Sequence, residues 1–201
     1  MRFSELKDKN IALLGMGREG QAVWRELRKR FPDKPLSIYT ESEIDDEFAG
    51  ELTPGRDHHI LGRFDGRKLE QFDVLIRSAG ISPYRNALRH LQSRGVQFTS
   101  ASNLWFAQNP QARTICITGT MGKSTTAALT AHMLNWAGFN TSLAGNIGKP
   151  MLACEEKDID WWVIELSSYQ IVDLEDKPDV AVLLNLSAEH LDWHGGFERY
   201  S

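Results

Sequence analysis

The sequence predicts an α/β protein with two parallel-sheet domains in succession. Three observations carry this. Short apolar runs at 11–14 and 114–118 each lead into a glycine turn and then a helix-forming stretch, so a strand-turn-helix opening occurs twice. Strand and helix candidates alternate at crossover length, which favours parallel pairing with right-handed connections. Between the halves, Asn109-Pro110 marks a break in regular structure.

In the first half, residues 11–14 read as a strand, 15–20 as a turn, and 21–30 as a helix with Ala22, Val23 and Leu27 on one face. Strands are expected at 36–39 and at 72–77, the second stopped by Ser78-Ala79-Gly80. Residues 86–93 read as a helix closed by Gly95, and 96–99 as extended chain. His58 and His59 are expected in a loop. A short helix near 104–108 precedes the second half, where a strand at 114–118, a helix at 123–137, a short strand near Ser142 and a strand at 160–166 follow. Residues 179–186 are almost continuously apolar, as a strand covered on both faces should be. The domains are assigned to 1–97 and 98–201. No helix follows the last strand to cover it, so the second sheet reads as unfinished and the chain as part of a longer protein.

Bulk properties exclude several classes. At 201 residues the chain can bury enough surface to fold without staples. A net charge of −4 leaves no basic footprint, and the aromatic residues are not interleaved with Lys/Arg runs, which argues against a nucleic-acid partner. The densest basic stretch, Arg25, Arg28, Lys29 and Arg30, falls at helical spacing and reads as a solvated helix face. Cys116 and Cys154 form neither a disulfide framework nor a zinc spacing, pointing to a reducing cytoplasm. No signal peptide opens the chain, and no apolar run approaches the ~18 residues of a membrane span. Neither a membrane partner nor an oligomer is expected.

The chemistry concentrates in Gly119-Thr120-Met121-Gly122-Lys123-Ser124-Thr125, between an apolar strand and a helix. A helix starting at Lys123 aims free N–H groups and its positive dipole end at the loop, which favours phosphate oxygens. Lys123 would neutralise the β- and γ-phosphates of ATP and Ser124 would offer its hydroxyl to Mg²⁺. The common phosphate loop has four residues between its first glycine and the Gly-Lys pair, whereas two separate Gly119 from Gly122. A ligand-free strand-to-helix turn is the plain alternative. Glu165, delivered at the end of an apolar strand, sits where a phosphate-loop enzyme places its metal-linked acid; an exposed strand-end acid is the alternative. His190 follows the last strand, on the loop that a parallel sheet opens toward Lys123 and Glu165. Asn146, in Gly145-Asn146-Ile147-Gly148, and Ser167 stand on neighbouring loops.

In the first half, Gly15-Met16-Gly17-Arg18-Glu19-Gly20 fits the dinucleotide fingerprint by spacing and by position, with Glu41 near the ~20-residue distance of a ribose-binding acid. This predicts a Rossmann-like domain, without separating NAD from FAD or a UDP-sugar. Glu41, Glu43, Asp45 and Asp46 read equally well as a solvated acidic loop. Ser78-Ala79-Gly80-Ile81 lies past a strand's carboxyl end, where open α/β sheets place ligands.

The glycine loop at 119–125, the Gly145-Asn146-Ile147-Gly148 turn, Glu165-Leu166-Ser167-Ser168-Tyr169-Gln170, and Asn185 followed by Glu189-His190-Leu191-Asp192 together resemble the Mur ligase family in order and spacing. The shortened glycine loop is that family's own form. With the Gly15 turn and the Ser78 loop ahead of it, the resemblance covers nearly the whole chain. It implies a Rossmann-like domain followed by a P-loop-type Mur ligase central domain, here incomplete. It implies an ATP-dependent ligase that activates the carboxylate of UDP-N-acetylmuramoyl-L-alanine as an acyl phosphate and joins it to glutamate, D or L, in peptidoglycan precursor synthesis. On this resemblance Lys123, Glu165 and His190 are catalytic; Ser124 and Glu165 serve one Mg²⁺ and His190 a second; and residues 119–125 hold ATP. Gly15, Arg18, Glu19, Ser78, Gly80, Asn146 and Ser167 would contact the UDP-linked acceptor. The family's modified lysine has no counterpart after His190, its third domain is absent, and Thr40 or Glu41 stands where an aspartate is common. The chain by itself is therefore expected to be inactive. A non-catalytic module that senses NAD or another nucleotide is the competing class.

Overall fold

Four consecutive buried apolar residues, Ile11–Leu14, form β1, the central strand of the first sheet. The computed structural model describes residues 1–201, which divide into two compact units, Met1–Leu104 and Trp105–Ser201.

In the first unit β1 is followed by α1 (Arg18–Arg30), β2 (Leu36–Thr40), α2 (Asp46–Glu51), β3 (Asp57–Leu61), α3 (Gly66–Leu69), β4 (Val74–Arg77), α4 (Asn86–Ser93) and β5 (Gln97–Thr99). All strand pairs are parallel and the order is β3-β2-β1-β4-β5. The strand order therefore reverses between β1 and β4, and the crevice beyond their carboxyl ends is where such sheets bind ligands. Ala12, Leu14, Tyr39, Leu75, Leu88 and Leu91 pack one core cluster.

Three details depart from the sequence reading. Helix α1 begins at Arg18, inside the glycine fingerprint rather than after it. His58 and His59 lie in β3, an edge strand whose Asp-His-His opening gives no apolar period to read. Arg28 is not on a solvated face: with Asp57 it forms an ion pair at 2.6 Å in which the carboxylate is fully buried.

Helix α5 (Ala101–Gln108) carries the division between units at residues 104 and 105. The second unit continues with β6 (Thr114–Thr118), α6 (Lys123–Trp136), β7 (Thr141–Gly145), β8 (Trp161–Glu165), α7 (Ser168–Ile171), β9 (Val180–Leu183), α8 (Leu191–His194) and α9 (Phe197–Tyr200). Its four strands are parallel in the order β7-β8-β6-β9. One face packs Cys116, Ile164 and Trp162 against Trp105 and Met151, and the other packs Ile117 and Val163 against Ala127 and Ala131 of α6. Strand β9 corrects an expectation. Its apolar run predicts cover on both faces, but it is the sheet edge, and Val180 and Leu183 are 41% and 65% exposed.

No helix is long and apolar enough to cross a membrane.

Candidate nucleotide and phosphate site

In the second unit the four strand exits share one edge of the sheet, because every pairing is parallel. The loop after β6 turns at Gly119 (φ 140°) and Gly122 (φ 84°) before α6 starts at Lys123. Gly122 caps that helix without a side-chain bond. The N–H groups of Gly122, Lys123, Ser124 and Thr125 consequently have no intrahelical acceptor, and they carry the positive end of the dipole.

Two N–H groups earlier in the loop are already used. Thr120 N–H donates to Asn185 O at 2.9 Å, and Met121 N–H donates to Asn185 Oδ1 at 3.0 Å. The Thr120 hydroxyl lies 2.6 Å from the Tyr200 hydroxyl and accepts from Ser187 N–H at 2.9 Å. Lys123 Nζ folds back on its own loop, donating to Gly119 O and Thr120 O at 2.8 Å each.

Glu165 pairs in register with Ile117, one strand over from the glycine loop, and is 1% exposed. Asn146 donates its side-chain amide to Glu165 Oε1 at 2.7 Å and its backbone N–H to Glu165 O at 2.9 Å. Gly145 (φ 106°) runs so close to the Glu165 carbonyl that a Cβ there would collide with it. Glu165 Oε2 is buried with no hydrogen-bond partner. A buried carboxylate oxygen in that state is costly, and a cation removes the cost.

Ser167 caps α7 and exchanges bonds with Gln170: its N–H donates to Gln170 Oε1 at 2.8 Å and its hydroxyl lies 3.1 Å from the same oxygen. His190 adopts a left-handed backbone (φ 54°), stands 3.7 Å from Glu189 and packs its ring 4.9 Å from Tyr169. No three His, Cys, Asp or Glu side chains converge into a metal cage. Burial raises the Cys116 thiol to about 12 and the Cys154 thiol to about 11, so neither is a ready thiolate.

In the first unit two turns are laced together beyond β1 and β4. Ser78 donates its hydroxyl to Gly15 O at 2.8 Å and its N–H to Leu14 O at 2.9 Å. A Cβ at Gly20 would collide with the Gly15 carbonyl, and one at Gly15 would sit 2.8 Å from the Ile81 side chain. Beneath them the buried Arg77 guanidinium donates to the carbonyls of Ser78, Ala79 and Ile81.

Above these turns lies a cavity of about 470 Å³ lined by Gly15, Gly17, Glu41, Phe64, Ser78, Gly80 and Arg85, among others. Arg18 and Glu19, which open α1, are not among its lining residues. Arg85, which sequence reasoning missed, is the cavity's one basic lining residue beside Glu41, Glu43 and Asp45. It pairs with Glu41 at 2.7 Å and lies over the Phe64 ring. The four acids of this stretch are exposed, as a solvated acidic loop requires, and within it Asp45 caps α2 by accepting from Phe48 N–H at 2.7 Å and also accepts from Gln21 at 3.0 Å.

Comparison with known proteins finds relatives of the whole chain. Residues 117–201 match the Mur ligase middle domain. The whole chain is 42% identical to the UDP-N-acetylmuramoyl-L-alanine--L-glutamate ligase of Xanthomonas euvesicatoria pv. vesicatoria and 40% identical to the enzyme of that name from Xylella fastidiosa. Over its whole length the chain is similar to members of the Mur ligase family. It spans 44% of the length of each of these curated relatives. Among solved structures it resembles the UDP-N-acetylmuramate:L-alanyl-gamma-D-glutamyl-meso-diaminopimelate ligase of Neisseria meningitides, with a TM-score of 0.54 at 19% identity over 96% of this chain and 65% of that one. That likeness establishes the Mur ligase fold.

Proposed function

We propose that this chain forms the acceptor-binding and ATP-binding parts of a ligase that joins L-glutamate to UDP-N-acetylmuramoyl-L-alanine through an acyl phosphate, in peptidoglycan precursor synthesis. The single observation that carries the reading is Glu165. Its carboxylate is buried, held on one oxygen by Asn146 and unpartnered on the other, one strand from a short glycine loop. The choice of L-glutamate over D-glutamate is supported by the names of the relatives, which cover the whole chain at about 40% identity.

In this reading the first unit binds the UDP end of the acceptor and the second binds ATP. Gly122 to Thr125 direct their N–H groups at the phosphates from the start of α6. Lys123 leaves the carbonyls of Gly119 and Thr120 and turns to the β- and γ-phosphates, where its charge offsets what develops on the leaving ADP. Magnesium prefers one or two carboxylates with phosphate oxygens and water, and the orphaned Glu165 oxygen with the Ser124 hydroxyl fits that demand; His190 would serve a second ion. When bound, such ions draw charge off the transferring phosphoryl group. Asn146 fixes the Glu165 carboxylate for this task, and Ser167 stands beside it at the start of α7.

The test is phosphate release from ATP in the protein at the length of its relatives, with UDP-N-acetylmuramoyl-L-alanine and either L- or D-glutamate. Release is expected with L-glutamate and to be lost in Lys123→Met. Release with D-glutamate alone, or without any acceptor dependence, would overturn the assignment.

A further inference from the structure

The phosphate loop of the second unit is held from outside itself, by the segment that leaves β9. Gly119 leans on that segment so closely that a Cβ would stand 3.0 Å from Asn185 O and 3.1 Å from both Asn185 N and Leu184 Cβ. Asn185 then binds the next two residues in three places. Its carbonyl accepts from Thr120 N–H, its Oδ1 accepts from Met121 N–H, and its Nδ2 donates to Met121 O at 2.8 Å. Such two-way pairing of a side-chain amide with the N–H and C=O of one residue fixes the direction of both peptides that flank it. We propose that Asn185 is a positioning residue for nucleotide binding: it sets the short loop in the shape that leaves the Gly122 to Thr125 N–H groups for phosphate.

The physical reason is the length of the loop. With two residues between Gly119 and Gly122, the loop is too short to wrap a phosphate with its own successive N–H groups as the longer form does. Turning the Met121 peptide toward Asn185 takes one N–H out of the site and fixes where the chain enters α6. Preorganised donors stabilise charge without reorganising when it arrives.

This inference rests on the nucleotide reading above, and its test separates the two. Amide hydrogen exchange on the ligand-free 201-residue chain reads the clamp alone. In Asn185→Ala the Met121 amide should exchange at least about tenfold faster, while Thr120, bonded to the backbone of Asn185, and the β6 amides hold. Asn185→Asp keeps an acceptor for Met121 and should restore the protection. Calorimetry with Mg·ADP reads the consequence. The Ala variant should lose about tenfold or more in affinity with its thermal midpoint nearly unchanged. An unaltered Met121 amide, or an Ala variant that binds Mg·ADP like the parent, would overturn the role. A parent chain that binds no Mg·ADP overturns the nucleotide reading and the consequence drawn from it, whereas the exchange result still decides whether Asn185 shapes the loop.

Discussion

Asn146 holds Glu165 twice, side chain to carboxylate at 2.7 Å and backbone to backbone at 2.9 Å, and leaves the second carboxylate oxygen buried and unpaired. A group that orients a metal-linked carboxylate is worth 10- to 100-fold in metal affinity. Asn146→Ala should therefore weaken Mg·ADP binding by about 10- to 100-fold while leaving binding of ADP in EDTA little changed. Calorimetry in the two buffers checks it. Equal losses with and without Mg²⁺ would show that Asn146 serves the loop rather than the carboxylate.

The cavity of the first unit makes a charge prediction. Arg85 is the one cation among three acids on its lining, and Glu41 holds it at 2.7 Å. A diphosphate entering there needs Arg85, whereas a nucleoside without phosphate does not. Arg85→Ala should cost UDP about tenfold or more in affinity and leave uridine alone, since hydrogen bonds to charged groups are worth about 1.5–3 kcal/mol. Glu41→Gln releases the guanidinium and should tighten UDP modestly, because a pair this exposed contributes about 0–1 kcal/mol. Titration of each variant with both ligands decides it. A parallel loss of uridine would mean that Arg85 shapes the cavity instead.

Much of this was legible in the sequence because apolar runs bounded by glycine are strong signals. Strands β1 and β6 and helix α4 occupy the residues predicted for them, and Glu165 stands at the strand end expected. What escaped notice lacks a one-dimensional signature. Strand β3 pairs through backbone while its first three side chains are polar, and His59 turns its ring to the Thr40 hydroxyl at 2.7 Å. Arg28 looked like a surface cation because its acid, Asp57, lies on another element. The Asn185 clamp and the Arg85 pairing are long-range contacts of the same kind. Strand β9 is exposed, in line with the absence of a covering helix after it, while its apolar run by itself points the other way because hydrophobicity reports what a face tolerates.

Asp57 makes the clearest stability prediction. Its buried carboxylate accepts from Arg28 at 2.6 Å, Trp24 Nε1 at 2.9 Å and Thr53 N–H at 2.7 Å. Removing one partner of a buried pair strands the other charge at about 3–5 kcal/mol. Asp57→Ala should lower the stability of the first unit by about that much in urea unfolding. The double variant Asp57→Ala with Arg28→Met should lose less than the sum of the two single changes, because it leaves no cation without its partner. Strict additivity would mean that the two residues act independently.

His194 links stability to pH in the second unit. The ring is 2% exposed, with Nε2 3.0 Å from the Ser168 hydroxyl and Trp193, Tyr200 and Tyr169 packed around it. Burial first, and then the neighbouring His190, hold its pKa below the ordinary 6.5. The unfolded chain therefore takes up a proton near 6.5 that the folded chain resists, and stability rises with pH wherever the unfolded state binds more protons. The contribution is fully present above about 6.5 and is lost as pH falls below it toward the folded value, by at most about 1.4 kcal/mol per pH unit. The carboxylates of Asp45 and Glu51 are shifted downward by their partners, so they act only in more acidic solution. Urea midpoints measured from pH 7.5 to 5 should fall in the parent and fall less in His194→Gln, where no proton is bound on unfolding. Matching slopes would show that His194 does not set the acid sensitivity of this unit.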